Sequence, residues 1–434
     1  MTTPRSTVSR LALGAALVAG ASSLAQAQDS GPLVDALVRK GILTDQEAEE
    51  IRADLLRDFG TSSPGKVDLS SSITRFKLSG DIRLRQQFES QTPTSDTDIS
   101  NERSRTRVRF RLNGDFELQR GWSAGFALET ATAADSGNQT FENGADDYGI
   151  SLARAYVGYT NGDFTFVGGK QKNIFYTTDL VWDGDINPQG LTEQYLWTVN
   201  DKTSVTFRAG QLLMDDNNEF SGPTTSATDA WMFYQQAELS QKIGSRLELK
   251  AAPGFFLYNA STLAGLGNEA AFNGTTENLK VIVLPGELSF KDLGGAGYGL
   301  KAYWDIAYNT TAEDRVREAY AQPASVDEDP LAWLVGLSYG YGAGKTAGDW
   351  KVSADYRQIG LGSIDPNIND SDFAFSRLNQ EGFKISAAYN LTDFASLNAT
   401  YMNTQEKEAL PGSGPGVANL DSSDLFQLDL NVKF

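Results

Sequence analysis

Five arginines occupy every second position from Arg103 to Arg111 in the segment NERSRTRVRFRLNGDFEL. Side chains of an extended strand alternate between its faces. Arg103, Arg105, Arg107, Arg109 and Arg111 therefore share one face, opposite Val108, Phe110, Leu112, Phe116 and Leu118. A row of guanidiniums can hold anions or pair with carboxylates. Two settings suit such a strand: a half-buried sheet whose arginine face meets bulk water, or a barrel wall with lipid outside and a wet, charged lumen inside. The segment RFKLSGDIRLRQQF repeats the pattern, with Arg75, Lys77, Arg83 and Arg85 opposite Phe76, Leu78, Ile82 and Leu84. As neighbours, the two strands would place nine basic side chains on one arc. Like charges so close repel and need acidic partners or anions, for which Asp81, Asp115, Glu117 and Glu129 are candidates.

A second set of charged residues lies in KNIFYTTDLVWDGDINPQG, which carries Asp179, Asp183 and Asp185 among aromatic and apolar residues. A solvent-exposed loop would be more polar. This composition suits a loop packed inside a barrel, its acids facing the arginine arc across a constriction where a transverse field is focused. The alternative places the same acids at an outer rim, binding divalent ions. DGDINPQ has calcium-like Asp spacing, but the Glu that completes such a loop is missing, so no metal ligand set is assigned. The chain has no histidine and no cysteine. That removes His-based triads, most zinc sites, thiol chemistry and disulfides. No spacing of Ser or carboxylates supports catalysis, and no cofactor is expected.

The elements that would position these groups are strands. From residue 74 to 434, sixteen alternating segments follow one another, from 74–89 and 103–118 to 394–404 and 423–434. Short connections follow the even-numbered segments, among them Asn161-Gly162 (a type I′ hairpin pattern) and Thr392-Asp393. Long connections follow the odd-numbered ones, such as 172–190 and 359–380. This is the alternation of an up-and-down barrel with both ends on one side of a membrane. Trp333, Val335, Leu337 and Tyr339 share a face, as do Trp350, Val352, Ala354 and Tyr356; in a barrel these face lipid, with Trp and Tyr at the interfaces. No stretch of 18 apolar residues follows residue 27, so no helical span is expected. Polar mean hydropathy (−0.35) combined with 11% aromatic residues and 42 Gly fits strands with one lipid face and one wet face.

Residues 1–27 have the basic, apolar and A-x-A regions of a secretory signal, ending at Ala25-Gln26-Ala27. Its removal takes Arg5 and Arg10 with it and moves the net charge from −19 to −21, which disfavours nucleic acid as a partner. Residues 28–65 read as two short helices and a linker: Lys40-Gly41 would end the first, and Thr44 with Glu47 would form a capping box for the second. Their apolar face is too small to fold alone and would pack on the barrel, on sister subunits or on another envelope component. Residues 66–434 form the barrel. The last strand, FQLDLNVKF, ends in Phe434, as outer-membrane strands read by the insertion machinery do.

GKQKNIFYTTDLVWDGDINPQGL, together with the arginine strand and LVRKGILTDQEAEEIR, resembles the bacterial "putative porin" family. The resemblance implies a sixteen-stranded, trimeric diffusion channel of the outer membrane and fixes no substrate. The expected fold is thus an all-β transmembrane barrel with a short N-terminal periplasmic helical segment. The expected function is passive diffusion of small hydrophilic solutes and ions. The alternatives are a solute-specific channel for anions or organic acids, and a structural envelope anchor using residues 29–60.

Overall fold

The computed structural model describes residues 34, 37–51, 53, 69–131, 136–142, 144, 147–216, 229–259, 279–320, 326–410 and 420–434. The expected leader 1–27 and linker 61–65 lie outside them. The chain forms two compact units, Met1–Ser70 and Ser71–Phe434.

In the first unit, residues 45–51 are helical. The Thr44 hydroxyl accepts from the Glu47 N–H, and the Glu47 carboxylate accepts from the Thr44 N–H at 2.8 Å, a reciprocal capping box. The preceding helix closes on Gly41 at φ +67°. Gly41 N–H donates to Val38 and Ile42 N–H to Leu37, the paired bonds of a Schellman end.

The second unit is a closed antiparallel barrel of sixteen strands. They are β1 (Ile73–Thr92), β2 (Asn101–Leu118), β3 (Trp122–Thr130), β4 (Ile150–Asn161), β5 (Phe164–Lys170), β6 (Gln189–Asn200), β7 (Thr203–Asp215) and β8 (Ala230–Ile243). β9 runs in two pieces, Leu247–Ala251 and Gly254–Tyr258, and β10 likewise, Lys280–Val283 and Gly286–Lys291. β11 (Tyr298–Asn309), β12 (Leu331–Tyr341), β13 (Trp350–Ile359), β14 (Gln380–Asn390), β15 (Ala395–Glu406) and β16 (Ser422–Lys433) complete the wall. The alternation predicts unbroken segments where β9 and β10 lie. The breaks fall at Pro253 and Pro285, which have no N–H for the ladder; their carbonyls still accept from Ala237 and Ala252. Gln139–Thr140 adds a short piece of strand against Arg107 and Val108 of β2 within the second long loop.

The β4–β5 turn differs from the I′ expectation. Asn161 pairs with Phe164, so the two loop residues are Gly162 and Asp163. Only the glycine has positive φ (59°), which fits a Gly-first II′ turn.

Closure joins β1 to β16 from Asp81↔Lys433 to Thr92↔Ser422. Gly80 and Phe434 then exchange both backbone hydrogen bonds, at 2.8 and 3.0 Å. A Cβ on Gly80 would lie 2.6 Å from the Phe434 ring, so the terminal aromatic needs glycine beneath it. The outer wall is apolar and exposed: Leu78, Val157, Val335 and Leu337 are each at least half accessible. The buried core lies inside the barrel. Inward residues of β7 to β13, such as Leu212, Tyr234, Phe256, Val283 and Leu334, pack against loops folded into the lumen.

Candidate functional site

The inward parity of β1 and β2 carries the basic residues, and the register stacks them. Arg83 faces Arg109, and Arg85 faces Arg107. Cross-strand like charges are unfavourable unless neutralised, and most of these are. Asp81 receives Arg111 at 2.8 Å and Arg109 at 3.1 Å. Asp429 of β16 accepts a two-bond fork from Arg85 at 2.7 and 2.9 Å. Glu89 holds Arg105 at 2.9 Å, with Arg103 more distant at 3.9 Å. Arg75 meets Glu117 at 2.9 Å, where both side chains are largely exposed. Lys77 pairs in register with Asp115, which accepts from the Tyr156 hydroxyl. Glu129 lies in register with Arg111.

Two arginines differ. Among the described residues Arg107 forms no ion pair; it donates to Gln87, Ser136 and the Asn138 carbonyl. Arg83 donates to the Asn138 side chain and comes no nearer to a carboxylate than 3.9 Å, at Asp429.

The third long loop, residues 171–188, closes its neck through Gln171 N–H to the Pro188 carbonyl. Its apolar residues turn into the lumen core. Leu180, Val181 and Trp182 are buried, and Phe175 stacks on Tyr234 at 3.9 Å. Polar bonds fix its path: Tyr176 exchanges two hydrogen bonds with Gln236 of β8, and Thr178 donates to Asp305 of β11.

The three acids of this loop reach three different partners. Asp185 lies against the arginine arc, 3.5 Å from Arg109 and 3.6 Å from Arg111. Asp179 reaches the far wall, 3.0 Å from Lys384 of β14 and 3.8 Å from Arg357 of β13; the Lys384 ammonium holds its carboxyl below the usual carboxylate range. Asp183 accepts from the Ser371 N–H and hydroxyl at 3.1 and 3.0 Å. Burial pushes its pKa up to about 6, with Asp370 and Asp185 adding to the rise. The loop thus ties one basic wall to the other. A cavity of about 370 Å³ remains between it and the wall, lined among others by Asp81, Arg111, Glu129, Arg154, Lys172 and Asp185.

A second inward loop escaped the reading of the sequence. Residues 360–379 bury Leu361, Ile364, Ile368, Phe373 and Leu378. They bond the third loop through Asp183 N–H to Ile368 and Asp370 N–H to Asp179. Asp372 from this loop lies 3.5 Å from Arg85. Asp370 binds Arg357 at 2.7 Å, and the Arg357 guanidinium sits 4.8 Å above Phe373. GLGSIDPNINDSDFAFSRLN has the same mixture of Asp with apolar residues that marked the third loop, and that signal could have found it.

Residues 83–283 and 296–434 match the family described as "Putative porin". No curated protein matches the sequence. Among solved structures, OprB of Pseudomonas putida at high pH aligns with 83% of this chain and 94% of its own, at 13% identity and a TM-score of 0.52. An anion-selective porin from Comamonas acidovorans aligns at 12% identity over 83% and 99% of the two chains, TM-score 0.45. A Rhodopseudomonas blastica porin mutant aligns at 10% over 83% and 100%, TM-score 0.41. At 13% identity the likeness to OprB speaks to the fold alone.

Proposed function

The chain belongs to the family of putative porins, and we propose that it forms a water-filled channel through a bacterial outer membrane for passive diffusion of small hydrophilic solutes and ions. Sixteen strands are enough to enclose an aqueous lumen. The observation that carries the reading is the third loop inside that lumen. It reaches basic groups on both sides, Asp185 against Arg109 and Asp179 against Lys384, and leaves polar cavities beside it. A narrow passage between fixed charges orders water and disfavours apolar solutes. Arg83 and Arg107, resting mainly on neutral acceptors, add positive potential that no close carboxylate cancels. The channel therefore favours anions, despite the net −19 charge of the chain.

Export by the 1–27 leader and assembly as a homotrimer belong to the same proposal. The deciding experiment is the reversal potential of the refolded protein in a planar bilayer across a KCl gradient. Anion preference is expected. Cation preference would mean that the acids dominate the path, and folded barrel without conductance would end the channel reading.

A further inference from the structure

On the other side of the third loop lies a larger cavity, about 600 Å³, walled by β10 to β15 and touching Thr177, Thr178 and Asp179. One level of its wall is a row of hydroxyls. Ser338 of β12 pairs in register with Ser353 of β13, Ser353 with Ser386 of β14, and Ser386 with Thr400 of β15. All four residues have inward parity and line the cavity. Adjacent strands set such groups roughly 4.7–4.9 Å apart, and each hydroxyl can both donate and accept. Ser386 and Thr400 lie 3.2 Å from each other. Among the described residues, the side chains of Ser338, Ser353 and Asn398 form no hydrogen bond.

The charges of the cavity are nearly cancelled. Glu287 takes Lys301 at 2.6 Å, Asp179 takes Lys384, and Asp355 and Asp370 take Arg357. Lys351 lines the same cavity one step along β13 from the hydroxyl row, is exposed, and has no ion pair among the described residues. One free ammonium thus stands beside a row of four hydroxyls, of which Ser338 and Ser353 are unengaged. A lumen wall that only had to be wet could carry any polar residues here. Several hydroxyls in line with a single free cation complement a solute with several hydroxyls and a single anionic group.

We propose that this cavity is a binding seat for a small polyhydroxylated monoanion of the sugar-acid class. Lys351 holds the carboxylate, and Ser338, Ser353 and Asn398 hold the hydroxyls. The proposal rests on the channel reading above and deepens it.

The test is single-channel recording of the full chain in KCl with sodium gluconate as probe, against sodium acetate and sorbitol at equal concentration. Gluconate is expected to reduce the current saturably, with acetate and sorbitol far weaker. Lys351→Gln, at an exposed position, should raise the half-blocking gluconate concentration roughly tenfold, with block expressed relative to that variant's own current in KCl. The Ser338→Ala/Ser353→Ala pair should weaken gluconate block without creating acetate block. Equal block by acetate or by sorbitol would overturn the seat while leaving the channel standing, as would gluconate block indifferent to Lys351→Gln. No current in KCl would remove the channel reading and the seat with it.

Discussion

The two halves of the lumen are built from the same alternating strands and do opposite things. Along β7 to β13 the inward positions include Leu212, Met232, Tyr234, Phe256, Val283 and Leu334, and the loops 171–188 and 360–379 settle on them together with the helix Ala312–Tyr320 through Val316. Along β1, β2 and β16 the inward positions are Arg83, Arg85, Arg107, Arg109, Gln427 and Asp429; most of these are buried as well, but the same loops meet them through carboxylates, Asp185 at Arg109 and Asp372 at Arg85. The difference is one of desolvation. Apolar loop residues gain by leaving water, so that half packs as a core. Guanidiniums lose their water at less cost where carboxylates pair with them, so the loops approach that wall through Asp185 and Asp372 rather than through apolar side chains. Channel width is thereby set by loops anchored on both walls, by apolar packing on one and by ion pairs on the other.

The most severe way to break this division is to remove the ionic clasp at the border. Arg357 is fully buried and binds Asp355 at 2.8 Å and Asp370 at 2.7 Å. Arg357→Ala leaves those buried carboxylates without their guanidinium, a loss of up to about 3–5 kcal/mol. The expected readouts are a lower unfolding temperature in detergent and a larger, noisier single-channel conductance as the loops at 171–188 and 360–379 loosen. Unchanged conductance would show that the apolar core alone positions both loops.

A smaller effect should follow on the arginine wall. Arg83→Gln with Arg107→Gln removes two charges that lack a close carboxylate, and leaves the Asp81–Arg109 and Asp429–Arg85 pairs intact. A unit charge about 4 Å from an ion's path is worth about 1 kcal/mol even in water-like dielectric. The anion-to-cation permeability ratio should therefore fall by roughly fivefold for each charge removed, read from the reversal potential, with little change in thermal stability. A ratio that stays put would transfer selectivity to the Lys384 wall.

How much of this could be read from the residues follows the same division. The strands were legible because one face is lipid and the other wet, so period-2 alternation is strong along Arg103–Leu118 and Leu425–Phe434. The third loop was legible because Leu180, Val181 and Trp182 are too apolar for an exposed loop. Its placement of acids was not: Asp179, Asp183 and Asp185 are spaced so closely that sequence suggested one shared target, whereas the turn at 183–185 sends them to Lys384, Ser371 and the arginine pair. Nor could spacing reveal Asp429 or Asp372 as partners of Arg85, since 344 and 287 residues separate them in the chain and only barrel closure and the inward fold of 360–379 bring them together.

The finest probe acts at the junction of the two loops. Asp183 has its pKa raised to about 6 by burial, with Asp370 and Asp185 opposing its ionisation and the Ser371 and Asp185 N–H groups favouring it. A carboxyl raised above its ordinary value of 3.8 favours the docked state when neutral. Its contribution to docking is therefore full below about pH 4 and falls as pH rises through about 6. With no histidine in the chain, no imidazole titrates in this window. Raising the pH from 5 to 7 should add one negative charge at the loop junction and lower the anion preference modestly, with a midpoint near 6. Asp183→Asn should flatten that step while preserving the Ser371 contact. A step of the same size in the variant would place the titrating group elsewhere in the lumen, and the loop junction would then be a structural hinge without electrostatic influence on the passage.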